Sequence, residues 1–305
     1  MQTVLITGGT GMVGTSLTEL LLSKGYEVII LTRKPRVSQI PNLTYAVWDI
    51  DKGYIDPLAI GQADAIVHLA GAGVADKRWS KKRKQEIVDS RVKSGALLVK
   101  YLTESPHHVK TVVTASAIGW YGPDTEQSLQ HGFVETDPVD ASFLGETCKR
   151  WEDSVKPIET LGIRLVTLRI GIVLNKEGGA LAEFIKPAKF GIAAILGNGQ
   201  QVISWIHQQD LTNILLFSIA NDNVNGIFNA VSPNSTTNKA LTIFIIKYYH
   251  TYFLKMMIPS WLLNLILGEM SVEVLKSANV SSKKIEKMGF PFKFPAISSA
   301  LSDLL

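Results

Sequence analysis

Short runs of apolar and β-branched residues recur along the chain, separated by segments with helical periodicity. The runs predict strands at residues 3–6, 27–32, 43–47, 65–70, 110–114, 164–169 and 227–231. The segments with a 3.6-residue period predict helices at residues 12–24, 80–103 and 141–160, and another that begins near residue 211. Continuous apolar strands that alternate with helices are typical of a parallel sheet covered on both faces. We therefore predict the α/β class, with a doubly wound parallel (Rossmann) sheet.

The rhythm changes after Gly171, and Gly and Pro residues cluster between residues 178 and 199. The helix near residue 211 and the strand at 227–231 are expected to return to the sheet. From residue 232 the chain is apolar with helical periodicity, which predicts a smaller, mostly helical C-terminal substrate lobe. The predicted division is a Rossmann domain of residues 1–173 plus 211–231 and a lobe of residues 174–210 plus 232–305.

The composition is that of an ordinary globular protein and limits the expected partners. The 305 residues are 46% hydrophobic and 19% charged, and the net charge of +4 suits a small anionic ligand without arguing for nucleic acid. Cys148 is the only cysteine, so an intrachain disulfide and a cysteine-cluster metal site are excluded, and we predict no metal.

The sequence also favours a cytoplasmic location without membrane insertion. The chain enters an apolar run at once, without the charged n-region of a signal peptide. The longest uncharged piece of the most apolar region, residues 256–268, spans 13 residues, whereas a membrane span needs roughly 20. We interpret this apolar piece as core or a substrate lid rather than a partner surface.

A glycine-rich turn follows the first predicted strand. Gly8, Gly11 and Gly14 have G-x-x-G-x-x-G spacing between a strand and a helix. Such a turn brings the backbone close to a pyrophosphate, which the free N–H groups and the dipole of the helix N-terminus favour. We predict that the cofactor contacts Gly8, Thr10, Gly11, Met12 and Val13; the alternative is a glycine turn without a ligand.

The end of the second predicted strand indicates which dinucleotide is bound. An NAD site needs an acidic residue here for the ribose 2′-OH, whereas this chain has Thr32, Arg33 and Lys34. Arg33 could stack on adenine and hold a 2′-phosphate, so we predict NADP(H); the alternative is a solvated surface cation. Asp49, after the third strand, either accepts from the adenine amino group or caps a turn.

Small residues follow the fourth predicted strand. Leu69, Ala70 and Gly71 would let the chain pass close to the ribose on the nicotinamide side of the cofactor. The preceding His68 is interpreted as a structural histidine rather than an acid or base. The basic run at residues 77–84 is interpreted as a solvated helix face rather than an anion site.

Taken together, these motifs resemble short-chain dehydrogenase/reductases of the extended type, in the sugar-nucleotide epimerase and dehydratase branch. The resemblance rests on residues 7–14, 68–71 and 114–117, the last of which include Ser116, and on the segment Ser-Trp-Ile-His-Gln-Gln-Asp-Leu at residues 204–211. Residues 197–200 and 229–234 narrow the match to the "epimerase family protein" subgroup, which carries a C-terminal domain of unknown function. The resemblance covers nearly the whole chain and implies a Rossmann fold and a nicotinamide cofactor.

The catalytic motif of that family is altered in this chain. The family uses Ser with Tyr and Lys in Y-x-x-x-K, where Tyr acts as acid/base and Lys lowers its pKa. Leu144 stands at the Tyr position and Cys148 at the Lys position, and none of the eight tyrosines has Lys four residues later. Lys149 lies about 100° further around the helix and cannot replace the missing Lys.

Two candidates for catalysis remain, together with one altered cofactor position. Ser116 is retained, and Tyr121 could supply a phenol, although a packed aromatic at a turn is the alternative. Arg91 replaces an Asn of the relatives and either contacts the cofactor or forms an ion pair.

Cys148 is either a reactive thiol or a small buried hydrophobe. Ile203 replaces the Arg with which related enzymes grip a sugar-nucleotide diphosphate.

Two functions are therefore compatible with the sequence. The first is an NADP(H)-dependent oxidoreductase or nucleoside-diphosphate-sugar-epimerase-like enzyme that acts on an unidentified small molecule without the Tyr and Lys pair. The second is a non-catalytic NADP(H)-binding or sensing protein that acts through a partner. A homodimer is one assembly compatible with either.

Overall fold

The computed structural model describes residues 2–305, which form a large sheet and several short ladders. The strands are β1 (Thr3–Thr7), β2 (Glu27–Thr32), β3 (Leu43–Asp49), β4 (Tyr54–Ile55), β5 (Ala65–His68), β6 (Thr111–Ala117), β7 (Arg164–Ile170), β8 (Ile172–Asn175), β9 (Ile192–Leu196), β10 (Val202–Ile203), β11 (Trp205–His207), β12 (Gly226–Ala230), β13 (Thr236–Thr237) and β14 (Leu254–Ile258).

Helices connect these strands and complete the C-terminal part of the chain. They are α1 (Met12–Ser23), α2 (Pro57–Gln62), α3 (Lys81–Glu104), α4 (Glu126–His131), α5 (Phe143–Val155), α6 (Gly179–Ala188), α7 (Gln208–Ala220), α8 (Asn238–Tyr249), α9 (Ser260–Leu267), α10 (Ser271–Leu275), α11 (Lys283–Lys287) and α12 (Ile297–Leu304). Short 3₁₀ segments lie at Ile118–Trp120, Lys156–Leu161 and Gly268–Met270.

The large sheet has eight strands in the order β12-β7-β6-β5-β1-β2-β3-β4. Every neighbouring pair is parallel except β3 with β4. The chain builds the sheet outwards from β1 through β2 to β3, and then returns to place β5 on the other side of β1. The switch point therefore lies between β1 and β5, and the predicted doubly wound α/β fold is confirmed.

Both faces of the sheet are buried, which explains the continuous apolar strands. In β1, Val4 and Ile6 pack in a cluster with Leu17 of α1 and Leu211 of α7. The intervening Leu5 points to the other face, into a cluster that includes Leu98 of α3. Because alternate strand residues face opposite sides, helices on both sides are needed to cover them.

The smaller lobe combines the predicted helices with ladders that the sequence pattern did not predict. Its apolar cluster includes Leu181 of α6, Leu241 and Ile245 of α8, and Leu301 of α12. The ladders pair β8 with β11, β9 with β14 and β10 with β13. Strands of two to five residues are too short to show a clear two-residue period.

The helix predicted at residues 141–160 differs from the structure. The α-helix ends at Val155, and a 3₁₀ segment from Lys156 to Leu161 follows it. Pro157 lacks an N–H and cannot continue the ladder of helical hydrogen bonds. Within residues 2–305, no helix combines the length and the apolar character needed to cross a bilayer.

Candidate functional site

The glycine turn lies between β1 and α1, at the switch point of the sheet. Gly8 has a φ of +71°, and a Cβ at this position would lie 2.9 Å from the carbonyl carbon of Leu69 after β5. A Cβ on Gly14 would collide with the carbonyl oxygen of Gly8. The N–H of Gly11 closes the turn by donating to that same oxygen at 3.0 Å. Gly8 and Gly14 are therefore required by close backbone approach.

The N-terminus of α1 begins directly at this turn. Gly11 is the N-cap, and in the described chain no side chain caps the helix and no acidic residue occupies its first turn. Thr10 and Gly11 are exposed, and the side chain of Met12 is more than one-third exposed. Free backbone N–H groups at a positive helix end favour an anion, so the turn formed by residues 8–13 fits a diphosphate.

The segment after β5 is tied to β1 by a buried hydrogen-bond network. The hydroxyl of Thr7 accepts from the N–H of Ala70 at 3.2 Å and lies 2.7 Å from Nδ1 of His68. We assign Nδ1 as the acceptor, with the proton on Nε2 facing Ser94. Burial, with a smaller contribution from the charge of Arg91, lowers the pKa of His68 to about 4. The neutral, enclosed ring supports the structural interpretation of His68.

Arg91 supports the loop that contains Gly71. Its Nη1 donates to the carbonyl oxygens of Ala72 and Ile87, both at 2.9 Å, and its guanidinium lies 4.8 Å from the ring centroid of Trp151. A Cβ on Gly71 would lie 3.1 Å from Cζ of Arg91. Burial lowers the pKa of Arg91. The guanidinium binds backbone carbonyls and within residues 2–305 forms no ion pair, so the predicted ion-pair alternative is not observed. Contact of Arg91 with the cofactor stays a prediction.

The two residues predicted at the adenosine end have different environments. Arg33 follows β2 and is exposed, without an ion-pair partner in the part of the chain that the structure describes. Asp49 accepts from the N–H groups of Asp51 and Lys52, both at 3.1 Å, and forms a 3.4 Å ion pair with Lys52. These contacts, chiefly the Lys52 N–H, lower the pKa of Asp49. The structure therefore favours the turn-capping alternative for Asp49.

Ser116 lies at the end of β6, and its side chain is turned into the protein. Its hydroxyl donates to Oε1 of Glu152 at 2.6 Å, and only 2% of the residue is exposed. The Glu152 carboxylate also accepts from Nε and Nη2 of Arg169 at 2.9 and 3.0 Å. The hydroxyl is thus held by a buried ion pair, which opposes the catalytic role predicted for Ser116.

Tyr121 belongs to the same buried network. It has no exposed surface, and its hydroxyl donates to Oδ1 of Asn229 at 2.7 Å and accepts from Nη1 of Arg169 at 3.1 Å. Burial raises the pKa of Tyr121 to about 12, despite the nearby charge of Arg169. A buried phenol with both roles occupied cannot reach a substrate, so the structure favours the packed-aromatic alternative.

Leu144 and Cys148, the positions that the resemblance equates with the family's Tyr and Lys, lie on α5. The thiol of Cys148 donates to the carbonyl oxygen of Ala117 at 3.5 Å, and burial raises its pKa to about 11. This environment favours a small buried hydrophobe over a reactive thiol. Leu144 packs against the turn after β6. A Cβ added to Gly119 in this turn would lie 3.1 Å from the Cβ of Leu144. An aliphatic side chain therefore lies at the start of α5, against this turn.

The sequence reasoning did not assign the residues that hold this network together. Arg169 is 1% exposed, and its guanidinium lies 3.6 Å from the ring centroid of Trp120. Glu152 is the ion-pair partner of Arg169, and Asn229 accepts the hydrogen bond from the Tyr121 hydroxyl. The available signal was the charged Arg169 between the apolar Leu168 and Ile170 of β7, since a buried cation needs an acidic partner.

The basic run at the start of α3 is only partly a solvated face. Arg83 is buried and pairs with Asp76 at 3.2 Å and with Glu86 at 2.8 Å, and it also donates to the carbonyl oxygen of Gly73. Lys84 pairs with Glu269 of the small lobe. The exposed members of the run are Lys77, Arg78, Lys81 and Lys82.

A doubly wound sheet with a glycine turn at its switch point and an open helix end beside it defines a Rossmann protein of the short-chain dehydrogenase/reductase type. Residues 4–230 match the NAD dependent epimerase/dehydratase family, and residues 258–304 match a domain of unknown function, DUF1731. The chain therefore belongs to the NAD dependent epimerase/dehydratase family, whose members bind NAD(P), and the resemblance seen in the sequence is confirmed.

Whole-length relatives agree with this assignment. An epimerase family protein of Staphylococcus haemolyticus is 36% identical over 308 aligned residues, which cover 100% of this chain and 99% of the relative. An epimerase family protein of Staphylococcus aureus strain MRSA252 is 35% identical over 305 residues, with 100% and 99% of the two chains covered.

Solved structures show the same architecture. The human epimerase family protein, isoform 2, crystallised with NADPH, has a TM-score of 0.85 and 29% identity over 99% of both chains. A nucleoside-diphosphate sugar epimerase from Corynebacterium glutamicum has a TM-score of 0.76 and 29% identity, covering 99% of this chain and 57% of that chain.

Proposed function

We propose that this protein binds NADP(H) across the switch point of its sheet. The observation that carries the proposal is the tight turn at Gly8 beside the uncapped N-terminus of α1. The cofactor diphosphate would lie against the backbone N–H groups of Thr10, Gly11, Met12 and Val13. The backbone of Leu69, Ala70 and Gly71, with Arg91 beneath it, would border the nicotinamide half.

Arg33 supports NADP(H) rather than NAD(H). Its exposed guanidinium follows β2, where an acidic residue would bind the 2′-OH of NAD. A planar guanidinium can hold a 2′-phosphate with paired hydrogen bonds and stack on adenine. Asp49 is engaged in its own turn, and the human relative was crystallised with NADPH.

We further propose that the protein is an oxidoreductase whose proton transfer does not use a Tyr and Lys pair. The cofactor, when bound, supplies or accepts a hydride at C4 of its nicotinamide ring. Epimerisation of a sugar would begin with removal of a hydroxyl proton, and the buried Tyr121 and the aliphatic Leu144 are unsuited to that step. Net reduction, with water as the proton source, fits these residues better than epimerisation.

A second candidate is a non-catalytic NADP(H) sensor. The observation that favours it is that the hydroxyls of Ser116 and Tyr121 are both bonded inside the protein. The ion pair of Lys84 with Glu269 joins α3, which follows the nicotinamide-side loop, to the small lobe. Cofactor binding could shift this contact, and a partner could recognise the altered lobe.

The two candidates differ in turnover. Purified protein would be titrated with NADPH by calorimetry, and the same preparation assayed for NADPH oxidation across aldehydes, ketones, quinones and nucleotide sugars. Turnover that saturates with one compound class supports the oxidoreductase. Micromolar NADPH binding with no turnover above the protein-free rate across the whole panel contradicts it and supports the sensor.

A further inference from the structure

Helix α9 is the most unusual surface element of the small lobe. Its sequence, Ser-Trp-Leu-Leu-Asn-Leu-Ile-Leu, is almost entirely apolar, yet Leu263 is its only buried residue. Trp261 is 68% exposed, Leu265 66% and Ile266 60%. The sequence predicted that this region is core or a lid, and its exposure excludes the core interpretation. Such a surface is unfavourable in water unless an apolar ligand or partner covers it.

The position of α9 indicates what covers it. Glu269, two residues beyond its end, pairs with Lys84 of α3, and Lys84 Nζ lies 5.0 Å from the ring centroid of Phe143. Phe143 precedes Leu144, which stands at the family's Tyr position. The side chain of Arg78 also lies against Gly268. The C-terminal end of α9 is therefore one lysine side chain away from the start of α5.

The N-terminal end of α9 borders a cleft in the small lobe. Pro259 and Ser260 line this cleft of about 400 Å³ together with Met257 and Leu275. Methionine side chains are flexible and polarisable, and they adapt to apolar ligands of varied shape. The helix thus extends from this partly apolar cleft to Gly268 and Glu269, which contact Arg78 and Lys84 at the start of α3.

The chemistry beside the cofactor site restricts the substrate further. Leu144 replaces the proton donor, and the Cys148 thiol is buried and bonded to Ala117. Reduction of a simple ketone forms an alkoxide, a base about as strong as hydroxide. Reduction of a quinone forms a phenolate-like anion with a conjugate-acid pKa of about 10, close to that of tyrosine. Only the second product is stable without a proton donor from the protein.

We infer that α9 forms the apolar wall of the substrate site and that the substrate is a lipophilic quinone; this inference rests on the proposed oxidoreductase function. The quinone gains two electrons and one proton as a hydride from NADPH, which is oxidised to NADP⁺. It takes its second proton from water and leaves as the hydroquinone. Ile203 is buried in β10, so the position where related enzymes carry a diphosphate-gripping Arg offers no cation to a polar nucleotide sugar.

The test uses the full chain, menadione as the quinone and Leu265→Glu as the variant. The matched control is Leu58→Glu on α2, because Leu58 is 72% exposed and α2 packs in the cluster around Leu5 of β1 rather than in the small lobe. Calorimetry would measure menadione binding to the protein saturated with NADP⁺, where no turnover occurs. Steady-state NADPH oxidation would give kcat and KM for menadione.

We expect Leu265→Glu to weaken menadione binding and raise its KM about tenfold, because a carboxylate in an apolar contact must be desolvated. The NADPH affinity should stay within twofold, and Leu58→Glu should match the parent protein in menadione binding, KM and kcat. NADPH binding without menadione binding or reduction would overturn the inference and leave the cofactor proposal intact. Failure to bind NADPH would overturn both. A dimer that Leu265→Glu dissociates, with the KM unchanged, would instead show that a second copy covers α9.

Discussion

The hydroxyl of Ser116 donates a 2.6 Å hydrogen bond to Oε1 of Glu152, thirty-six residues further along the chain. The same carboxylate binds the guanidinium of Arg169, which is 1% exposed. A residue type that faces the substrate in related enzymes is here part of a buried ion-pair network. This arrangement links Ser116 to the stability of the neighbouring strands β6 and β7.

Glu152→Gln is expected to lower the free energy of unfolding by about 3–5 kcal/mol. The substitution leaves the buried charge of Arg169 without its counter-charge, which is more costly than losing a surface pair. Urea unfolding followed by circular dichroism measures the change. Glu146→Gln on the same helix is the control, since Glu146 is exposed. Equal stability of the two variants would show that the buried pair is unimportant.

Tyr121→Phe is expected to lower the free energy of unfolding by about 1–3 kcal/mol, because Asn229 and Arg169 each lose a hydrogen-bond partner. NADPH affinity should not change. Tyr248→Phe, at a residue that is 57% exposed, should leave both quantities unaltered. If Tyr121→Phe abolished turnover while stability was retained, the phenol would have the catalytic role that the buried position opposes.

The burial of His68 predicts a dependence of stability on acid pH. Its pKa is lowered to about 4 in the folded protein and is about 6.5 in the unfolded chain. As the pH falls below about 6.5, the unfolded chain takes up a proton that the folded protein does not. The contribution of His68 to the free energy of unfolding should therefore decrease by about 2 kcal/mol between pH 7 and pH 5, with no further change above pH 7.

Urea unfolding at pH 5 and pH 7 measures this contribution. His68→Gln should remove most of the additional pH dependence, although its stability at pH 7 is lower because the bond to Thr7 changes. His131→Gln, at an exposed histidine, should retain the parent slope. An unchanged slope in His68→Gln would assign the pH dependence to other groups.

Gly8 and Gly25 provide a matched pair for the cofactor turn. Both have positive φ, +71° and +81°, but a Cβ on Gly8 meets Leu69 at 2.9 Å, whereas a Cβ on Gly25 meets no described atom within 4 Å. Gly25→Ala should cost about 1–2 kcal/mol of stability through backbone strain and retain NADPH binding. Gly8→Ala should displace the turn and weaken NADPH binding at least a hundredfold. Equal NADPH affinities of Gly8→Ala and Gly25→Ala would show that the turn at Gly8 is not part of the cofactor site.

The parts of the fold that depend on short-range signals could be predicted from the sequence. The strand, glycine turn and helix at the N-terminus lie within about twenty residues, and their periodicity and spacing were sufficient. The two-residue strand β4 and the six-residue helix α2 are too short to show a period. Pro157 was visible in the sequence but was not used to end the preceding helix.

The site could be predicted only where chain neighbours form it. The Tyr121 hydroxyl binds Asn229, which is 108 residues away, and no local spacing reveals such a contact. A Ser and a Tyr after a parallel strand looked accessible because strand ends usually border the ligand. The structure shows that the Tyr121 hydroxyl bonds Arg169 directly, whereas the Ser116 hydroxyl bonds Glu152, the ion-pair partner of Arg169. It also shows that α9 is exposed although its composition resembles that of a core helix.

Calorimetric titration with NADPH and with NADH, repeated with Arg33→Ala and with Arg36→Ala, tests the central claim most directly. Both arginines are exposed in the loop after β2, so the second variant controls for loss of one surface charge. We predict that the parent protein and Arg36→Ala bind NADPH at least tenfold more tightly than NADH, and that Arg33→Ala loses this preference. Equal binding of both dinucleotides by the parent protein would contradict the assignment of NADP(H), and binding of neither would contradict the cofactor site itself.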